Sequence, residues 1–325
     1  MTEIRKHFSR LGLAYLAGSL IIYAVQLAAF WLLDTFAPVA AEDPNISFLA
    51  GMLTMYAVAM PLMALLIRRL PAAPVASRPM TKGQGVTAFL MCYGLMYAGN
   101  LAGQLVTLLI GLAKGSDVVN PVLDTVTGLN LWVTFAVTVL LAPVTEEYLF
   151  RKLLVERTVR YGEGVAVLCS GLVFGLFHGN LNQFAYAFLL GLFLAYLYVK
   201  TGRLRYTILI HMAINFVGSV LPLWLLEKTG YSEIMASLQS AGTEKMALLM
   251  ENLPGLTIFG SYASLVLLTA AAGIILLFVS RRKFVCRPGA SGLSKKQLAA
   301  AAAGSLGMIL YGVFWIGMML AQAIG

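Results

Sequence analysis

Charge is scarce in this sequence. Only 11% of its 325 residues are Asp, Glu, Lys or Arg, where a soluble globular domain carries roughly a quarter. A chain so poor in charge cannot clothe a water-exposed surface, which excludes the two soluble domains its length would otherwise allow. Cysteine is also sparse: Cys92, Cys169 and Cys286 have no metal or redox spacing, so free thiols are expected and no disulfide. No H-E-x-x-H zinc-protease signature occurs, and no internal repeat or interruption long enough for a soluble domain.

Apolar residues fill the chain instead: 60% of it is hydrophobic, with mean hydropathy +0.84. A membrane-spanning helix needs about 20 apolar residues. Nine such runs can be read, near 11–33, 48–67, 85–112, 129–150, 164–180, 184–199, 206–226, 257–279 and 298–323. The expected fold is all-α: a polytopic integral (plasma) membrane protein, one membrane domain over 1–325 with about nine transmembrane helices. The first run follows Arg5, Lys6 and Arg10 like a signal peptide, but at about 23 residues it is too long for a cleavable one and reads as a retained anchor. The longest stretch between runs, 227–256, has an amphipathic pattern (Ile234, Leu238, Met246, Leu249, Met250) and is expected to lie on the outer face. Ala299 to Ala303 predict close helix packing at the start of the last span.

The net charge of +9 could indicate a nucleic-acid partner, yet its distribution indicates a bilayer. With the N-terminus in the cytosol, 20 of the 23 Lys and Arg fall on inner flanks; the other 3 are Lys114, Lys228 and Lys245. Inner loops rich in Lys and Arg are what orients a helix bundle. The expectation is a lipid bilayer as partner, no nucleic acid, a cytosolic N-terminus and, with nine spans, an outer C-terminus. Nothing in the chain specifies an oligomer.

A few polar residues interrupt this background. Glu146 and Glu147 end the fourth run in LAPVTEEYLFRK, and Arg151 follows one turn later. A lone charge at a helix centre costs roughly 2.5–3.5 kcal/mol on insertion scales, so charges here should pair. Glu147 and Arg151, at i and i+4, share a helix face and can form an ion pair. Glu146 points about 100° away and lacks that partner. A poorly solvated carboxylate of this kind suits a general base; the plainer reading is that all three snorkel into the inner interface.

Two of the three histidines also lie in apolar runs, His178 in LVFGLFHGN and His211 in ILIHMAINF, with Asn215 four residues after His211. His7, in the basic N-terminal tail, is given no role. One intramembrane histidine is readily a helix–helix hydrogen-bond donor. Two, with an asparagine and an unpaired glutamate on neighbouring spans, are harder to explain as helix–helix contacts, and such groups face the bundle interior or a water-filled cavity. If runs four and five form a hairpin turning at Gly162, Glu146 and His178 each lie 16 residues from the turn, at similar depth. His211, six residues past Arg205, is about 9 Å in from the inner charged loop. Bringing all three level requires the charged tip (Lys152, Glu156, Arg157, Arg160, Glu163) to protrude into the cytosol, and it leaves the fifth span short.

Three motifs now stand in order: E-E-x-x-x-R (Glu146, Glu147, Arg151), F-x-x-x-H (Phe174, His178) and H-x-x-x-N (His211, Asn215). Together they resemble the CAAX prenyl protease and bacteriocin-processing family of intramembrane endopeptidases, over 146–215, about a fifth of the chain. The resemblance implies a four-helix catalytic core over 129–226, spans four to seven. In it Glu146 would activate the attacking water with His178, and His211 with Asn215 would stabilise the oxyanion. Glu147, Arg151 and Phe174 would support the site. The implied substrate is a membrane-associated peptide or protein: a prenylated C-terminal peptide, a bacteriocin or signalling-peptide leader, or a stray transmembrane segment.

The residue chemistry agrees, since peptide hydrolysis needs a base for water and donors for the tetrahedral oxygen. Cys169 and Ser170 have no nucleophile motif around them. Glu146, His178 and His211 are a legitimate zinc set, but using them so would leave only Glu147, committed to Arg151, as base. Metal-free chemistry without a cofactor is therefore favoured over zinc. Buried Glu and His would equally serve a proton-coupled transporter, against which stands the lack of inverted repeats. A non-catalytic membrane regulator or immunity protein could keep the same residues for binding.

Overall fold

The computed structural model describes residues 2–116, 118, 128–229, 252–289 and 292–324; most of the expected outer loop, 230–251, lies outside the described residues. Ten principal helices follow in chain order: α1 Thr2–Phe36, α2 Pro44–Arg68, α3 Lys82–Lys114, α4 Leu131–Tyr161, α5 Glu163–Phe177, α6 Leu181–Thr201, α7 Leu204–Thr229, α8 Leu253–Lys283, α9 Lys295–Ala303 and α10 Leu306–Ile324. No strand occurs among the described residues, and eight of the helices are long and apolar enough to cross a membrane. The all-α polytopic fold expected from composition is thus the fold observed.

Two of the nine expected spans differ. Helix α5 has 15 residues, about 22 Å at 1.5 Å per residue, against a hydrocarbon layer of about 30 Å. It ends where Gly179 takes φ 67° and Asn180 caps α6 through the Gln183 N–H. The last run breaks in two. Its alanines form α9, capped by Ser294, and winding stops at Gly304 and Ser305, whose Oγ donates to the Ala302 carbonyl. Of those five alanines Ala301 is fully buried and Ala302 packs against the Phe8, Tyr161 and Leu298 cluster, so the close packing expected there is confined to one face of α9. The closer approach is at Gly307, where an added Cβ would stand 1.9 Å from the Ser9 carbonyl oxygen of α1. Gly273 of α8 makes a matching approach, 1.9 Å from the Leu90 oxygen of α3. Small residues permit such crossings in lipid, where van der Waals contact drives helix association.

Prolines shape the helices that carry polar groups. Each of three π-helical stretches, Thr54–Ala59, Phe135–Leu141 and Phe216–Val220, ends two residues before a proline (Pro61, Pro143, Pro222). In each, the N–H just ahead of the proline reaches back five residues: Met60 to Met55, Ala142 to Val137 and Leu221 to Phe216. Proline has no N–H and crowds the preceding turn, and widening that turn relieves both. A fourth stretch, Tyr148–Leu153, has no proline and is held from outside. The Tyr15 hydroxyl of α1 donates to Leu149 O (2.7 Å), and Ser170 Oγ of α5 donates to Phe150 O (2.7 Å).

The hairpin between α4 and α5 does turn at Gly162 (φ 123°), and its charged tip is partly covered, with Arg160 left exposed. Arg157 is buried, donating to the Ile67 and Leu153 carbonyls. Glu163 pairs with Lys200 and accepts the Arg287 N–H of the basic connector. His7, set aside in the sequence, is buried against this tip: Arg160 donates to its Nδ1, so its Nε2–H donates to Arg157 O at 2.8 Å.

The glycine crossings make a stability prediction. Gly307→Leu should destabilise the detergent-solubilised protein by about 1–3 kcal/mol through overpacking. Gly312→Leu, where an added Cβ meets nothing within 4 Å, should leave it unchanged. Thermal unfolding of the two variants side by side tests this; equal midpoints would refute it.

Candidate active site

Glu146 and Glu147 occupy the short α-helical stretch Ala142–Glu147 between the two π stretches of α4. Neighbouring positions face different ways, and the two carboxylates have different partners. Glu147 is fully buried; its Oε2 stands 3.0 Å from Arg151 Nε and its Oε1 2.9 Å from His211 Nδ1 on α7. Arg151, also fully buried, lies with its guanidinium carbon 4.2 Å from the centroid of the Phe174 ring. Thus Glu147 joins α4 to α7, and Arg151 joins α4 to α5.

The carboxylate beside it is less committed. Glu146 is 8% exposed, accepts a hydrogen bond from the Tyr56 hydroxyl on Oε1 (3.1 Å), and turns Oε2 toward His211 Nε2 at 3.9 Å. The carboxylate of Glu147 can only accept, so His211 Nδ1 carries the proton of their contact, which fixes the ring with Nε2 facing Glu146.

His178 is the C-cap of α5, just past Phe177. Its Nδ1 is 2.9 Å from Phe174 O; a carbonyl only accepts, so Nδ1 is protonated in the neutral ring and Nε2 keeps its lone pair. The ring packs edge-on against Phe174 (4.7 Å between centroids) and near Tyr186 (6.3 Å), within electrostatic range of Glu146 and His211. Asn215 lies one turn past His211. Its Nδ2 donates to Thr138 O (2.8 Å), a carbonyl within the first π stretch of α4, and retains a second N–H.

Glu146, Glu147, Arg151, Phe174 and His211 therefore form one contiguous cluster, with His178 joined through Phe174 and Asn215 tied to α4 beside it. Two residues had no sequence signal. Tyr56 comes from α2, outside the motif-bearing helices, in an apolar run whose only hint of irregularity is Pro61. Tyr186, one turn into α6, accepts from Gln183 Nε2 at 2.6 Å. Ser170 is engaged with Phe150 O, in keeping with its lack of a nucleophile motif. Among the described residues no three His, Cys, Asp or Glu side chains gather closely enough to hold a metal ion. The zinc set Glu146, His178 and His211 is thus not assembled as a ligand cage.

Comparison with known proteins locates the similarity on this cluster. Residues 128–217 match the family model of the type II CAAX prenyl endopeptidase Rce1-like proteins. The chain is also 27% identical over 124 residues to "Putative membrane peptidase YdiL" of Bacillus subtilis (strain 168), covering 37% of this chain and 49% of that one. It spans about half the length of that relative. No solved structure matches. The segment holding every motif residue is therefore similar to the CAAX prenyl endopeptidases, the family that the three motifs resemble.

Proposed function

We propose that the chain is an intramembrane endopeptidase that hydrolyses a peptide bond of a membrane-associated peptide or protein by glutamate- and histidine-activated water. The observation that carries this is the gap between Glu146 Oε2 and His211 Nε2. At 3.9 Å it is too wide for a hydrogen bond between them, and a water about 2.8 Å from each would see the two atoms at roughly a right angle. Glu146 takes one proton from that water, His178 Nε2, with its lone pair free, accepts a hydrogen bond from the other, and His211 contacts the water oxygen as the doubly protonated ring, donating from Nε2. The hydroxide adds to the carbonyl carbon. The oxyanion is stabilised by the second N–H of Asn215 and by His211 when it carries a proton on Nε2. Collapse breaks the C–N bond, and the proton on Glu146 passes to the leaving amine.

Glu147 serves as a support. Paired with Arg151 on one oxygen and hydrogen-bonded to His211 on the other, it sets the imidazole and is itself fully buried. This division of labour also favours metal-free chemistry: if Glu146 became a ligand, neither carboxylate would remain as base. With the short α5 counted as a ninth crossing, the 20-to-3 charge asymmetry supports a cytosolic N-terminus and an outer C-terminus. A reporter fused after Gly325 that is active only in the cytosol would show that a span is miscounted.

Assayed on a library of membrane-embedded reporter peptides, Glu146→Gln, His178→Ala and His211→Ala should each lose about 10²–10⁴-fold in cleavage while still inserting. Glu147→Ala and Arg151→Ala should chiefly cut yield and thermal stability, by about 3–5 kcal/mol, because each leaves the other charge buried alone. Normal cleavage by Glu146→Gln, or a library that the wild type leaves intact, would defeat the reading. Protein stripped with a strong chelator and checked by elemental analysis should keep its activity. Stoichiometric zinc, with activity lost on stripping and restored on adding it back, would transfer the site to metal chemistry.

A further inference from the structure

Tyr56 belongs to α2, yet it is the hydrogen-bond donor to Glu146 among the described residues, at 3.1 Å to Oε1. Its approach is built into the helix. The π stretch Thr54–Ala59 takes Tyr56 out of the regular series of 100° steps. Thr54 Oγ1 fastens the start of that stretch to the Ala50 and Gly51 carbonyls, at 2.6 and 3.0 Å. The phenol is buried in the same core as Leu149 and Phe150 of α4. A buried hydroxyl requires a partner, and here the partner is the less committed of the two carboxylates.

We propose that Tyr56 is a positioning residue for the general base: by occupying Oε1 it fixes the carboxylate plane and keeps Oε2 turned toward His211 and the reacting water. This rests on Glu146 being the base. A carboxylate rotates freely about its last torsion, and one directional bond on one oxygen converts that rotation into a single reactive orientation. The neighbouring groups are committed elsewhere. Glu147 is held by Arg151 and His211 and His178 Nδ1 by Phe174 O, while the Tyr186 oxygen accepts from Gln183. The phenol neither gains nor loses a proton in the reaction, so the proton path from water to Oε2 to the leaving amine is unchanged.

The test is steady-state kinetics of the full-length protein in phosphatidylcholine vesicles, on a reporter peptide that the wild type cleaves. Tyr56→Phe should lower kcat about 10–100-fold, the usual effect of removing a partner that orients a reacting group. KM should stay within about twofold, since no substrate contact is removed. Tyr198→Phe is the control: it deletes the same kind of bond, to Glu156 at 2.8 Å at the hairpin tip, and should leave kcat unchanged. The inference is overturned if Tyr56→Phe keeps wild-type kcat, if only KM rises, or if kcat falls no further than the folded fraction. The two levels separate cleanly. An inactive Glu146→Gln beside a normal Tyr56→Phe removes the tyrosine's role alone, whereas a Glu146→Gln that still cleaves removes the base assignment and the tyrosine's role with it.

Discussion

A guanidinium with no exposed surface stands at the centre of this bundle: Arg151 is the largest fully buried side chain among the described residues. Its contact with Glu147 is an ion pair at 3.0 Å whose angle falls outside that of a hydrogen bond, and its outer N–H groups meet no acceptor there. The ring face of Phe174 covers what the carboxylate does not. Burying such a pair costs several kcal/mol of desolvation per ion, and the mutual attraction offsets this only if the geometry is kept. The pair therefore demands that α4, α5 and α7 hold their relative positions, because Glu147 also carries His211 and Arg151 also carries Phe174. The geometry at Glu146 is a consequence of that demand.

The surrounding structure supplies the rigidity. Two crossings at glycine set the outer helices against their neighbours at backbone contact, leaving little room to slide. The π stretches place carbonyls and side chains off the regular helical series, and several of these groups join neighbouring helices. Thr138 O holds Asn215, Leu149 O and Phe150 O are held by Tyr15 and Ser170, and Tyr56 reaches Glu146. Irregular helix is tolerated at this depth because the freed backbone groups are satisfied within the protein.

Much was legible in the chain because it depends on short spacings or on composition. Charge scarcity and the length of the apolar runs determined an all-α membrane bundle. The i, i+4 spacing of Glu147 and Arg151 determined their pairing, since residues four apart share a helix face whatever the tertiary structure. Counting outward from Gly162 put Glu146 and His178 at similar depth as an approximation, since the π stretch Tyr148–Leu153 interrupts the regular rise on one arm. Tertiary structure alone decided that His211 leans on Glu147, that Tyr56 joins from a helix without a motif, that His7 is buried against the hairpin tip, and that the last run breaks at Gly304. The first three contacts join helices 64 to 150 residues apart in sequence, and their geometry depends on helix rotation. That rotation is set by π turns and glycine crossings, and no local spacing encodes it.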